Sequence, residues 1–253
     1  SAKTIETIKK VSEKEILVIL CSGRPRKYVE NVSRQCNASK YIIASNGGSV
    51  FDYVSNEIIY KNIIDKEIVA KLCKISKESN TNFIIDSDEN ICTIYDEDFT
   101  KMKMLKKNIE EIEKVEIKQE VVSLGDDNIS NKERLYYFIG NIELSKGYAI
   151  KKICEKLNIK KEETIAIGDD VNDLSMFEQV GYKVAVSNAI DIVKEKADEI
   201  TLSNDEDGVA VFLNKLLENY LGKGTDYINV EFVNDWLNKL KEYWFNKDID
   251  KAV

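Results

Sequence analysis

The sequence predicts an α/β protein with a doubly wound parallel sheet as its core and an α+β unit inserted into it. Three observations carry this. The apolar run Ile165-Ala166-Ile167-Gly168 ends in Asp169-Asp170-Val171-Asn172-Asp173, the pattern of a buried strand that delivers polar groups at its carboxyl end, where open α/β sheets place ligands. Nearer the start, Ile16-Leu17-Val18-Ile19-Leu20, a helical stretch and Tyr41-Ile42-Ile43-Ala44 make a βαβ unit. Between residues 53 and 142 the texture changes to hairpins and a Lys/Glu-rich helical stretch, and the βα rhythm returns at Leu144.

Residues 4–12 place Ile5, Ile8 and Val11 at helical spacing and lead into the first strand. The next helix has Tyr28, Val29, Val32 and Cys36 as its apolar positions, and Pro25, the single proline, falls where a helix's first turn tolerates it. Ser45-Asn46-Gly47-Gly48 closes the second strand with residues that accept positive φ. Val50 to Tyr53 and Glu57 to Tyr60 flank Val54-Ser55-Asn56 as a hairpin. Asp65 is placed to cap a helix carrying Ile68, Leu72 and Ile75; strands are expected at 83–85, 91–95, 121–124 and 135–139, with a helix through Met102, Leu105 and Ile109 among them. After Leu144-Ser145-Lys146-Gly147 comes a helix with Ala149, Ile150, Ile153, Cys154 and Leu157 inward, then the acid-tipped strand. A strand at 183–188, a helix with Ile190, Val193 and Ala197, a short strand at 199–202 and a helix from Gly208 using Val211, Phe212 and Leu216 complete the core.

The length of 253 residues and 43% hydrophobic content suffice for one large or two smaller cores, and two are expected. With 37 basic and 45 acidic side chains, the net charge of -8 opposes nonspecific nucleic-acid binding and requires any anion site to be locally basic. Histidine is absent, which excludes His-based triads and His-ligated zinc. Five widely spaced cysteines with no C-x-x-C pair fit a reducing cytoplasm better than a disulfide framework or a zinc site. No apolar run approaches the roughly 20 residues that span a bilayer, and Ser1 to Glu6 lack a secretory apolar segment, so a soluble, cytoplasmic protein with no membrane partner is expected.

Adjacent carboxylates repel unless a cation or a lysine sits among them, so Asp169, Asp170 and Asp173 predict a hard metal ion with oxygen ligands, Mg²⁺ first; a solvated strand-to-helix turn is the alternative. Ser22-Gly23-Arg24-Pro25 offers a hydroxyl and two amides at a strand end as an anion cradle, against ordinary turn chemistry. Gly125-Asp126-Asp127-Asn128 imitates the acidic stretch but lies in a polar loop of the insert and is taken as a turn. In residues 228–245, Phe232, Val233, Trp236, Leu237, Leu240, Tyr243 and Trp244 fall at helical spacing, giving an amphipathic helix that either docks on its own core or binds a partner protein.

Ser22, Lys146, and Asp169 with Asn172 and Asp173 thus follow one another at strand ends. Leu20-Cys21-Ser22-Gly23-Arg24-Pro25, Ser45-Asn46-Gly47, Leu144-Ser145-Lys146-Gly147 and Gly168 to Asp173, with Val186-Ser187-Asn188-Ala189 and Ser203 to Gly208 behind them, resemble the motif series of the haloacid dehalogenase superfamily of phosphohydrolases. More narrowly, they resemble its Cof-type members, which carry a large α/β cap (type IIB). The resemblance runs to about residue 219 and implies a Rossmann-like core at 1–52 and 143–219, a cap at 53–142 and a C-terminal helical extension at 220–253. It also implies a Mg²⁺-dependent phosphatase of a small phosphorylated metabolite, working through an aspartyl-phosphate under a cap that closes. By that resemblance Ser22 hydrogen-bonds a phosphoryl oxygen, and Lys146 neutralises phosphate and nucleophile together. Asp169 ligates Mg²⁺, Asp173 completes or supports that shell, and Asn172 lies near the phosphate, while Gly23, Arg24, Asn46 and Asn188 are further substrate-binding candidates.

The family's first motif, a strand ending Asp-x-Asp-Gly-Thr that supplies the nucleophile, has no match ahead of the helix that opens the sequence. Phe83 to Asp88 matches D-x-D, but Glu89-Asn90 follow it inside the insert, so it is a decoy; Ile228 to Val233 before Asp235 fits a helix better than a strand. In the family the strand lies between those carrying Ser22 and Asp169, and leaving it out costs about 1–3 kcal/mol for each buried backbone group left unsatisfied. The expectation is therefore a piece of a longer phosphatase, inactive and weak in metal binding by itself, or a slot filled by another segment. A catalytically inactive relative that binds a phosphorylated ligand or a protein partner is the alternative.

Overall fold

A computed structural model of the chain describes residues 1–79, 83–86, 91–94, 112–113, 115–124 and 133–221. The expected helix around Met102–Ile109, the Gly125–Asn128 turn, the second half of the D-x-D decoy and the 228–245 helix lie outside the described residues.

Helix α1 (Ala2–Ser12) is capped by Ser1, whose hydroxyl accepts from the Thr4 N–H, and it buries Ile8 and Val11 on the face that the 3.6-residue period assigns to them. Strand β1 (Leu20–Cys21) leads into α2 (Arg26–Cys36), which takes Pro25 as its N-cap, and then β2 (Tyr41–Ala44). The β1–β2 pairing is parallel, Leu20 opposite Ile42 and Cys21 opposite Ile43. The strand predicted from Ile16 is thus much shorter than its apolar run. Val18 still accepts from the Ser39 N–H at 2.9 Å, but Leu17 is 46% exposed. A stretch with a ladder on one edge only has half of its backbone partners, and the strand is correspondingly brief.

The hairpin β3 (Ser49–Asp52) and β4 (Glu57–Lys61) forms where expected, with Asn56 in the left-handed region at φ 58°. It continues the core sheet, in the order β1-β2-β3-β4, instead of opening the insert. We therefore propose that the core–insert boundary lies after Lys61 and not at residue 53. Asp52, 2% exposed, organises the turn: one carboxylate oxygen accepts from the Val54 and Ser55 amides at 2.9 and 3.1 Å, the other from Lys40 at 2.5 Å. In the insert, α3 (Lys66–Ser79), the hairpin β5 (Phe83–Asp86) and β6 (Ile91–Ile94), and the longer hairpin β7 (Val115–Leu124) and β8 (Glu133–Asn141) are described. Ile68 and Leu72 of α3 share an apolar cluster with Val115, Ile117 and Ile139.

The second half contains α4 (Lys146–Leu157), β9 (Ile165–Gly168), α5 (Leu174–Phe177), β10 (Tyr182–Val186), α6 (Asp191–Lys196), β11 (Glu199–Thr201) and α7 (Gly208–Leu221). Its strands make a separate parallel sheet in the order β11-β10-β9. Helices cover both faces, as the doubly wound expectation requires. Ile8, Val11, Cys36, Phe212 and Leu216 pack with Tyr182 and Val184 on one face, and Met176, Phe177 and Val193 with Ala166 and Ala185 on the other. Strands β1 and β9 are each the last strand of their sheet, and among the described residues no strand pairs with both. The two still share packing: Ile16 and Val18 join Ile165 and Ile167 in one cluster, and Cys21 packs against the cluster of Ala166. Among the described residues no helix is long and apolar enough to cross a membrane.

Burial pushes the Asp52 carboxyl up, but the Lys40 ammonium and the Ser55 and Val54 donors outweigh it and hold the pKa at about 2, against 3.8 ordinarily. A carboxylate depressed in the folded state contributes stability above its unfolded pKa and loses it as pH falls towards the folded value. Discounted for the exposed lysine, the contribution is about 1–2 kcal/mol, present above about pH 4 and lost towards pH 2. Urea titrations across that window are expected to show a smaller acid loss for Asp52→Asn than for wild type; equal losses contradict the assignment.

Candidate functional site

The first wall of the site is the turn after β1. The Ser22 N–H donates to the Ile43 carbonyl at 3.0 Å, prolonging the ladder, and the Ser22 hydroxyl accepts from the Arg24 N–H at 3.2 Å. The predicted cradle is therefore smaller than its sequence suggests, because the Arg24 amide turns back on Ser22. Arg24 itself is exposed, with its guanidinium 5.6 Å from the Tyr28 ring centroid.

The second wall, Ser45-Asn46-Gly47, has φ of 52°, 55° and 93° in turn. The Ser45 N–H reaches the Arg24 carbonyl at 3.0 Å and the Asn46 N–H the Ser22 carbonyl at 3.1 Å. Glycine is required at position 47: a Cβ there would fall 2.1 Å from the Ser145 carbonyl oxygen. That close approach brings the turn against the start of α4, where the Ser145 hydroxyl accepts from the Tyr148 N–H at 3.1 Å.

Lys146, 7% exposed, stands at the convergence. Its Nζ donates to Asp173 Oδ1 at 2.6 Å and to Asn172 Oδ1 at 3.3 Å. Asp173 Oδ2 accepts from the Asp169 and Asp170 amides at 2.8 and 3.1 Å, folding the acidic turn over the end of β9. A Cβ on Gly168 would lie 2.6 Å from the Asp173 Cβ, so the strand can end this tightly only with glycine. Asn172 Nδ2 in turn donates to Asn46 Oδ1 at 3.0 Å. Ser22, Asn46, Asn172, Lys146 and Asp173 thus form one polar network, which crosses from the sheet of β1 to the sheet of β9. Gly23 lies within it, since a Cβ there would meet Asn46 Oδ1 at 2.9 Å.

The two expected metal ligands part company. Asp173 is buried and both of its oxygens are engaged by Lys146 and the loop, so it supports the site from within. Asp169 reaches the surface. Its pKa is raised, first by partial burial, then by the carboxylates of Asp173 and Asp170, with Lys146 pulling the other way. One ammonium, already paired, faces three carboxylates; a hard divalent cation on Asp169 relieves that excess, so the donor set fits Mg²⁺. No closed cage exists, however: among the described residues no group of three or more carboxylate or thiol side chains is gathered to hold a metal.

Asn188 stands apart from the network, its side-chain oxygen accepting from the Asn204 N–H at 3.0 Å, although its loop touches the acidic turn through Ile190 N–H to the Asp169 carbonyl at 3.1 Å. Two neighbours were not singled out by sequence. Cys21 precedes Ser22, and burial pushes its thiol up to about 12, with Lys146 lowering and Asp173 raising it, so it is a neutral packing group and not a nucleophile. Ser175 joins the acidic turn to α4. Only its place two residues after Asp173 could have drawn attention to it.

Removing one partner of a buried pair strands the other. Lys146→Met is therefore expected to cost about 3–5 kcal/mol in urea denaturation at pH 7, far more than the loss of a lysine from an exposed pair such as Lys10–Glu6. A loss for Lys146→Met as small as that of Lys10→Met contradicts the pairing described.

Known proteins share this chain's sequence and fold. It is 29% identical over 210 residues to the 5-amino-6-(5-phospho-D-ribitylamino)uracil phosphatase YcsE of Bacillus subtilis, covering 81% of this chain and 84% of the relative. It is 29% identical over 220 residues to a phosphoglycolate phosphatase of Archaeoglobus fulgidus, covering 85% and 88%. A solved haloacid dehalogenase-like hydrolase from Bacteroides thetaiotaomicron shares the fold with a TM-score of 0.66 at 24% identity, over 85% of this chain and 92% of that one. The haloacid dehalogenase-like hydrolase family model matches residues 1–120 and 93–213, and the chain belongs to that family.

Proposed function

We propose that the chain is the greater part of a Mg²⁺-dependent phosphatase site for a small phosphorylated metabolite. The observation that carries this is the buried Lys146 ammonium, held by Asp173 and Asn172 and linked through Asn46 to the Ser22 turn of the other sheet. In this assignment Ser22 donates to a phosphoryl oxygen, Lys146 offsets the charge of phosphate and nucleophile, and Asn172 and Asn46 orient the group. Asp169 holds the cation, which supplies charge neutralisation on the phosphoryl oxygens. Gly23 packs against Asn46, Arg24 holds the Ser22 turn through its N–H, and Asn188 stiffens the neighbouring loop. The phosphatases among the relatives support the class of reaction; their differing names leave the metabolite to be chosen by this chain's own cap.

Transfer through an aspartyl-phosphate needs a carboxylate nucleophile facing Lys146. Both oxygens of Asp173 are taken, and Asp169 belongs to the cation. We place the nucleophile on a strand entering between β1 and β9, the two sheet edges that flank the network and have no further strand beside them among the described residues. The same observation supports a second reading, in which the chain by itself binds a phosphorylated ligand, or a partner protein, without turnover.

Hydrolysis of p-nitrophenyl phosphate separates the two. A version of the chain joined to an apolar strand ending Asp-x-Asp is expected to turn over only with Mg²⁺, and to lose at least about a hundredfold in rate in Lys146→Met and Asp169→Ala. The chain alone is expected to be slower by at least about a thousandfold, in line with loss of a covalent nucleophile. An equal rate from the chain alone refutes the placement between β1 and β9. Activity indifferent to Mg²⁺, Lys146 and Asp169 refutes the phosphatase site.

A further inference from the structure

Ser175 lies in the first turn of α5, and its hydroxyl makes two bonds that bridge separate elements. It accepts from the Gly147 N–H at 3.1 Å and donates to the Asn172 carbonyl at 3.0 Å. The first N–H groups of a helix have no partner within it and must find one elsewhere. In α4 the Tyr148 donor is met locally by Ser145, whereas the Gly147 donor is met across the site by Ser175. Backbone contact seals the join: a Cβ on Gly147 would fall 2.0 Å from the Ser175 carbonyl oxygen and 3.2 Å from its Cβ. The helix that starts at Lys146 therefore meets the acidic turn at one fixed point. On one side of that point is the Lys146 ammonium; on the other are Asn172 and Asp173, the two groups it binds.

We propose that Ser175 is a positioning residue for the phosphate site. By tying the first turn of α4 to the Asn172 carbonyl, it fixes where Lys146 Nζ stands relative to Asn172 Oδ1 and Asp173 Oδ1. Its consequence for catalysis rests on the phosphatase site proposed above; the mechanical coupling does not. Without the hydroxyl, the Gly147 donor is left unmatched at a partly dry contact, α4 can draw back from the turn, and Lys146 loses its enclosure.

Acylation of lysines by acetic anhydride in the whole chain, with Lys146 followed by peptide mass spectrometry, tests this directly. Lys146 is expected to react slowly in wild type and roughly fivefold to tenfold faster in Ser175→Ala, the scale of about one lost hydrogen bond. Ser175→Thr, which keeps the hydroxyl, is expected within about twofold of wild type. Ser175→Cys, which keeps a weak donor and acceptor, should fall between and serves if the alanine variant does not fold. Asp52→Asn, which weakens a remote part of the core, is the control and is expected to leave the Lys146 rate unchanged. Equal rates in wild type and Ser175→Ala, or the same acceleration in Asp52→Asn, overturn the proposal. Inorganic phosphate with Mg²⁺ is expected to slow Lys146 labelling further in wild type. If it does not, the phosphate site falls, while the order of the variant rates still decides the role of Ser175.

Discussion

An ammonium in a nearly dry interior is tolerated only when a carboxylate meets it and the carboxylate's other lone pairs are also satisfied. The Lys146–Asp173 pair imposes that condition on the rest of the site. Asp173 meets it by drawing in the Asp169 and Asp170 amides, which sets the shape of the acidic turn. Gly168 leaves room for that turn to close, Gly147 leaves room for α4 to approach it, and Gly47 leaves room for the Asn46 turn beside both. Three chain segments that are far apart in sequence are thereby brought to one point.

The same pair matters because the backbone offers little connection at this place. The sheets of β1 and β9 share no ladder among the described residues. Apolar packing of Ile16, Val18, Ile165 and Ile167 joins them below, and the amide bridge from Asn46 to Asn172 joins them at the strand ends. Packing is non-directional and sets only the separation, whereas hydrogen bonds between amide groups also set orientation. The polar network is thus both the candidate site and a clasp across the fold.

Much of this was legible in the sequence. Helix faces such as Ile8 and Val11, or Ala149 and Ile153, follow from a period that local geometry enforces. The Asn56 turn and the Ser145 cap follow from residue chemistry within a few positions. Ser22, Lys146 and Asp169 stand out in the sequence because each ends an apolar strand run or opens the helix beside one. What the sequence did not disclose depends on distant partners. The apolar run from Ile16 reads as a full strand, yet its ladder length is decided by which edges have neighbours. Asp169 and Asp173 are chemically alike, and only the burial of Lys146 turns one inward and leaves the other at the surface. Ser175 is an ordinary turn serine until the Gly147 amide is seen against it.

In the proposed site Lys146, Ser22 and Asp169 face a single bound phosphoryl group. A crystal structure of the chain with Mg²⁺ and the phosphate mimic tungstate tests it most directly. The expected density shows the oxyanion within hydrogen-bond reach of Ser22 Oγ and Lys146 Nζ, with the cation on Asp169. An oxyanion bound elsewhere, with Lys146 still closed on Asp173 and Asn172 and no ion at Asp169, contradicts it.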